Sequence, residues 1–256
     1  MKAVVLAAGY ATRLYPLTLT VAKPLLPLAG RPMLDYLLDR IREVGEVDEV
    51  HVVTNHKFAE PFAEWAGAHE GVVVHDDGTT SEDDRLGAIG DIRFVLDAAG
   101  LDREDLLVVA GDNLFDYSLA DYVGWWRGKG EASVVVLYDV GDLELVRKYS
   151  SVELDADARL TAFTEKPERP TSTLVATAAY IYHRGHVPLI RRYLDDGNPP
   201  DQPGRFVAWL VPRARVYGYA VGGDWRDIGD AAQLLDADNH LRAAAGLPQR
   251  TSYSLG

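Results

Sequence analysis

Between residues 2 and 138, short apolar runs alternate with amphipathic stretches, and few folds tolerate that rhythm. The runs fall at 2–8, 50–54, 72–75, 106–110 and 132–138, each too short for a buried helix and rich in Val and Leu. Between them lie helical patterns. Leu34, Leu37, Leu38, Ile41 and Val44 make one apolar face, opened near Pro32 and closed by Gly45. Further helices are predicted over 58–68, from Gly87 to Ala99 with a stop at Gly100, and from a Ser118 cap to about Arg127. Strands alternating with helices imply a parallel sheet with crossover helices, an α/β fold. After residue 140 the rhythm changes to short strands at 151–154, 160–164 and 175–183. Helices near 186–196 and 204–210, a strand at 216–221 and a helix over 230–245 follow. No repeat or low-complexity linker divides the chain, so one domain over 1–256 is expected.

The first run empties into Ala7, Ala8 and Gly9, whose small side chains let backbone N–H groups approach an anion closely. Arg13 and Lys23 then supply the charges a polyphosphate needs. The carboxyl end of a first strand is where open α/β sheets bind ligands, so the segment reads as a nucleoside triphosphate site. Two common phosphate motifs are absent. Residues 9–14, Gly-Tyr-Ala-Thr-Arg-Leu, hold one of the three glycines of a dinucleotide fingerprint, and no Walker loop occurs.

Residues 4–28, with Leu6-Ala7-Ala8-Gly9-Tyr10-Ala11-Thr12-Arg13-Leu14 followed by Lys23-Pro24-Leu25-Leu26-Pro27, resemble the signature of the sugar nucleotidyltransferases. The likeness is to short members of the glucose-1-phosphate thymidylyltransferase type. Ala11 stands where the family usually has a second Gly; a positive φ there would carry a steric cost. The resemblance implies a Rossmann-like, three-layer fold around a mixed, mainly parallel sheet. Residues 1–140 would form the nucleotide half and 141–256 the sugar-phosphate half.

It also assigns roles. Leu6 to Thr12, with Gly87 and Ala88, would hold the nucleotide. Gly111-Asp112-Asn113 resembles the family's Gly-Asp-Asn, whose Asp binds Mg²⁺ and lies against the nucleotide. A strand-end Asp is also a common turn residue. Trp225-Arg226-Asp227-Ile228-Gly229 matches the Trp-x-Asp-x-Gly element that supplies the second metal carboxylate, a register that prefers Asp227 over Asp224. Thr164-Glu165-Lys166-Pro167 resembles the family's Glu-Lys-Pro, where Lys binds the sugar phosphate and Glu the sugar hydroxyls. Asn113, Tyr149 and Thr177 would complete the sugar-phosphate side, with Ala178 again replacing a family Gly. Arg13, Lys23 and Lys166 would be catalytic.

The implied reaction is Mg²⁺-dependent transfer from a nucleoside triphosphate, dTTP or UTP, to the 1-phosphate of glucose or mannose. The base remains open, because the family's Gln-rich segment after the third strand is replaced by Asp84-Arg85-Leu86-Gly87-Ala88-Ile89-Gly90. The acidic stretch 76–84 reads as either a solvated face or a lid. Two other readings stand beside transfer to a sugar: transfer to a non-sugar phosphate such as phosphocholine or inositol phosphate, and a non-catalytic nucleotide-sugar-binding regulator. A net charge of −13 argues against nucleic-acid partners. There is no cysteine for disulfides or thiolate chemistry, and no 18-residue apolar run. A cytoplasmic enzyme with no membrane partner is the expectation, and since members of the resembled family often form dimers or tetramers, a homo-oligomer is open to it.

Overall fold

The computed structural model describes residues 1–255. The strands are β1 (Lys2–Leu6), β2 (Pro27–Leu28), β3 (Arg31–Pro32), β4 (Glu49–Thr54), β5 (Val72–Asp76), β6 (Leu106–Ala110) and β7 (Asn113–Phe115). They continue with β8 (Ser133–Asp139), β9 (Ser150–Leu154), β10 (Leu160–Glu165), β11 (Leu174–Tyr182), β12 (Val216–Val221) and β13 (Trp225–Asp227). The helices are α1 (Met33–Arg42), α2 (Ala59–Ala66), α3 (Ala88–Ala99), α4 (Leu119–Arg127), α5 (Leu143–Val146), α6 (Pro188–Asp195), α7 (Pro203–Leu210) and α8 (Ala231–Ala244).

Seven strands form the central sheet in the order β12-β8-β11-β6-β1-β4-β5. Only β11 runs antiparallel to its neighbours, β6 and β8; the other pairings are parallel. Strands from both halves of the chain thus share one mixed, mainly parallel sheet. Strands buried on both faces need continuous apolar runs, and β6 and β8 supply them. On one face α1, α2 and α4 bury Leu37, Ile41, Phe62, Tyr122 and Trp126. On the other, α3, α6 and α7 bury Ile92, Val95, Ile190, Phe206 and Leu210. This is the three-layer α/β arrangement that the resemblance implies.

The two adjacent tryptophans divide their work. Trp126 is buried and donates to Ala132 O at 2.7 Å, while Trp125 packs on Tyr217 and Tyr219. A third cluster joins Leu14, Leu28, Met33 and Leu114 to Ile228 and Leu234, so α8 closes over the loop after β1. Among the described residues, no helix is long and apolar enough to cross a membrane.

After β1 the chain moves to β4 and β5 on one side, then returns to place β6 on the other side of β1. That reversal opens a crevice at the carboxyl ends of β1 and β6, the usual ligand position in such sheets. Leu6 pairs with Ala110, and Gly111 N–H donates to Leu6 O at 2.8 Å. A Cβ on Gly111 would lie 3.0 Å from that carbonyl, so any larger residue would push the two strand ends apart by a few tenths of an ångström.

Candidate active site

A cleft of about 560 Å³ runs along this edge of the sheet. Its floor is the turn after β1. Leu6, Ala8, Gly9, Tyr10, Ala11 and Thr12 line it, whereas Ala7 turns its methyl into the core. Ala11 adopts left-handed φ 49°, ψ 45°, and Thr18 Oγ1 donates to its carbonyl at 2.8 Å to hold the bend. The turn accepts a conformation that costs an alanine roughly 1–2 kcal/mol.

Arg13 leaves this turn exposed and enters the cleft. Lys23 begins a short 3₁₀ turn, is 8% exposed, and donates its ammonium to Asp112 Oδ2 at 2.7 Å. Asp227 arrives from the far end of the chain. β13 pairs antiparallel with β7, and in that register Asp227 sits opposite Asn113, the residue after Asp112. The ribbon therefore brings two carboxylates 115 positions apart to one point, 227 minus 112. Burial raises the Asp227 carboxyl above its ordinary range and the Asp112 charge adds to that, while Lys23 and Arg13 pull it back. Asp224 is elsewhere: it pairs with Arg226 at 2.7 Å and does not line this cleft.

Of the other predicted residues, Tyr149, Asn113, Thr177 and Lys166 do not line this cleft. Tyr149 packs edge-on to Trp225 at 5.3 Å and shares a cavity with Asp227. Burial, with the Asp227 charge second, raises its phenol. Asn113 is buried and donates to Thr177 O at 2.9 Å, and Thr177 Oγ1 bonds the Tyr117 hydroxyl at 3.2 Å. Asn113 Oδ1 is buried without a partner among the described residues. Ala178, lining the cleft, is left-handed at φ 56°. Lys166 is exposed, also left-handed at φ 46°, and its N–H donates to Tyr149 O at 2.7 Å.

Glu165 does not line the cleft but lies beside its Gln202–Pro203 edge. Its carboxyl packs on Gly204 in α7, in a cavity with Arg205 and Trp209, and burial pushes it up to about 7. Gly87 and Ala88 both line the cleft, but the close approach at Gly87 (φ 78°) is made by the chain itself. A Cβ there would meet Pro200 at 2.9 Å.

The acidic stretch is neither a bare solvated face nor detached from the cleft. Asp84 accepts from Thr80 and Ser81 N–H groups, which hold it down at about 2, so the turn caps itself. Asp77, Glu82 and Arg85 form one wall. Sequence reasoning missed Asp77 and Asp91, which also lines that wall. The signal for Asp91 was an acid set between Ile89 and Ile92 in the first turn of α3, where the sheet-facing side should be apolar.

Such a crevice, with basic and acidic groups meeting at its switch point, is the ligand position of an open α/β sheet. The chain belongs to the nucleotidyl transferase family, whose pattern it matches over residues 2–244. It is similar to a UTP–glucose-1-phosphate uridylyltransferase of Synechocystis sp., 31% identical over 244 residues, covering 90% of this chain and 60% of the relative. It is also similar to a mannose-1-phosphate guanylyltransferase of Mycobacterium tuberculosis, 33% identical over 231 residues, covering 90% of this chain and 61% of the relative. The chain thus spans about 60% of the length of these curated relatives. Among solved structures, a candidate glucose-1-phosphate thymidylyltransferase from Bacillus anthracis in complex with a sucrose shares the fold. Its TM-score is 0.77 at 21% identity, over 94% of this chain and 95% of that one.

Proposed function

We propose that the protein transfers a nucleotidyl group from a nucleoside triphosphate to a sugar 1-phosphate, releasing pyrophosphate. The observation that carries this reading is the convergence of Arg13, Lys23, Asp112 and Asp227 on one cleft at the sheet's switch point. A phosphate oxygen of the acceptor attacks the α-phosphorus in line. That phosphate is already ionised near neutral pH, so no protein base is needed and catalysis is positioning and charge neutralisation. Arg13 holds the leaving pyrophosphate. Lys23 exchanges Asp112 for the α-phosphate and the incoming phosphate, and Lys166 fixes the nucleophile.

Asp112 and Asp227 would hold Mg²⁺. The donor set suits it: two carboxylates lining one cleft, brought together by the β7–β13 ribbon. Few protein oxygens, completed by phosphate and water, are what Mg²⁺ prefers. When bound, the ion neutralises charge on the transferred phosphoryl group. Burial beside the Asp112 carboxylate raises Asp227, a repulsion that a bound cation would relieve.

The relatives' names support glucose 1-phosphate or mannose 1-phosphate as acceptor. They do not agree on a base. Nucleotides and sugar phosphates are cytoplasmic metabolites, so we place the reaction in the cytoplasm. One observation favours the non-sugar acceptor as second reading: Glu165, expected on sugar hydroxyls, packs on α7 instead. The test is pyrophosphate release with Mg²⁺, pairing ATP, CTP, GTP, UTP and dTTP with sugar 1-phosphates, phosphocholine and inositol phosphate. Release confined to one sugar pair supports the proposal. Release only with phosphocholine or inositol phosphate establishes the second reading, and silence across the panel overturns both.

A further inference from the structure

Beyond Asp112 and Asp227, two further carboxyl groups line the cleft, and each leaves one oxygen buried and unpartnered among the described residues. Asp91 stands in the first turn of α3, is 6% exposed, and its Oδ1 is buried with no hydrogen bond among the described residues. Asp77 accepts from Thr79 N and Thr79 Oγ1 through Oδ1, each at 2.7 Å, and leaves Oδ2 buried and unpartnered. Both line the cleft. A buried acceptor left unsatisfied costs about 1–3 kcal/mol, so two in one wall mark a place where a ligand brings donors.

The sheet fixes how far this wall stands from the chemistry. Asp112 follows β6, the small-residue turn follows β1, and Asp77 follows β5, two strands beyond β1. At about 4.8 Å per strand, the β5 end lies about 10 Å from the β1 turn and about 14 Å from the end of β6. A nucleotide reaches that far from its α-phosphorus to the edge of its base. With the triphosphate at Arg13, a base would reach the end of β5 and Asp77, and Asp91, close enough to feel the Asp77 charge, lines the same cleft.

Hydrogen-bond chemistry then sorts the bases. Thymine and uracil offer two acceptors and one donor on the pairing edge, cytosine two acceptors and one amino group, adenine one of each. Guanine alone offers one acceptor, O6, beside two donors, N1–H and the N2 amino group. We propose that Asp77 and Asp91 read the base and select guanine, Asp91 meeting O6 and N1–H and Asp77 accepting from N2. Burial, with the Asp77 charge second, pushes Asp91 up to about 8, so near pH 7 it keeps a proton to donate to O6. GTP then replaces the dTTP or UTP that the resemblance alone suggests. The inference rests on the reading of this cleft as a nucleoside triphosphate site.

The test is calorimetric titration of the intact chain with Mg²⁺ and GTP, ITP, ATP, CTP, UTP or dTTP, with no sugar phosphate present. GTP should bind at least ~10-fold tighter than UTP or dTTP, and ITP, which lacks the N2 amino group, ~10-fold weaker than GTP. Asp77→Ala should erase the GTP-over-ITP preference. Asp91→Leu should weaken GTP ~10- to 100-fold, the worth of a lost charged or paired bond. Asp91→Asn, the same shape as the protonated acid with a donor and an acceptor, should stay within about threefold of wild type. UTP or dTTP binding as tightly as GTP, equal GTP and ITP, or an unchanged order in Asp77→Ala and Asp91→Leu overturns the proposal. Selective GTP binding with no pyrophosphate release from any acceptor supports the base assignment and overturns the transfer reading. Release with dTTP or UTP in preference to GTP does the reverse.

Discussion

Asp227 is held by opposing forces: burial and Asp112 push its proton on, Lys23 and Arg13 push it off. Removing either side should be felt in the chemical step more than in folding. Arg13→Ala and Asp227→Asn are each expected to lower kcat at least ~10²-fold, the scale of one preorganised electrostatic group. Steady-state pyrophosphate release checks this, and a fully active Arg13→Ala protein would remove Arg13 from the mechanism. Strain sits beside this charge. Ala11 and Ala178 replace the glycines of the resembled family, and both are left-handed, at φ 49° and 56°. Each conformation costs about 1–2 kcal/mol, partly returned because alanine restricts the unfolded chain by about 0.4–1 kcal/mol. Ala11→Gly and Ala178→Gly should therefore each stabilise the protein by about 0.5–1 kcal/mol, read as a rise in urea midpoint. An unchanged or lower midpoint would show that the turn does not store this strain.

The long elements announced themselves because their ends carry local chemistry. Gly100 ends α3 at φ 69° with its N–H on Leu96 O, and Ser118 and Asp230 accept from Asp121 and Gln233 N–H as N-caps. Ser118→Ala should cost about 1 kcal/mol, measurable as a lower thermal midpoint. The short pieces were silent. β7 and β13 have three residues each and β2 and β3 two, too few to show an alternating pattern. That silence matters, because the β7–β13 ribbon is what brings Asp227 to Asp112; only the family resemblance pointed there. Asp77 was hidden for another reason. In sequence it belongs to an acidic run, and only the fold separates the solvent-facing, self-capped Asp84 from the half-buried Asp77.

Across the whole molecule, buried titratable groups pull the pH dependence of stability in opposite directions. Burial lowers His51, His75 and His186, so the unfolded chain binds more protons and stability rises as pH climbs towards 6.5. Glu165 at about 7 and Asp91 at about 8 act oppositely. Their folded forms hold protons the unfolded chain releases near 4, so that stability declines from about pH 4 upward and the loss is complete only once pH has passed 7 and 8. Between pH 7 and 9 the thermal midpoint should fall, and Asp91→Asn should remove most of the fall. An equal fall in both proteins would mean Asp91 is already ionised. A last consequence follows from the β7–β13 ribbon and concerns time. On a ribosome, β1, Lys23 and Asp112 emerge early, and the sheet around them can begin to assemble. The partner carboxylate comes more than a hundred residues later, and α8 follows it, offering Asp238 to Ala29 N–H. Tyr253 then reaches Pro27 O. A growing chain therefore carries β1, Lys23 and Asp112 long before it carries Asp227, and the two carboxylates meet only once β12, the last strand of the sheet, and β13 have emerged together.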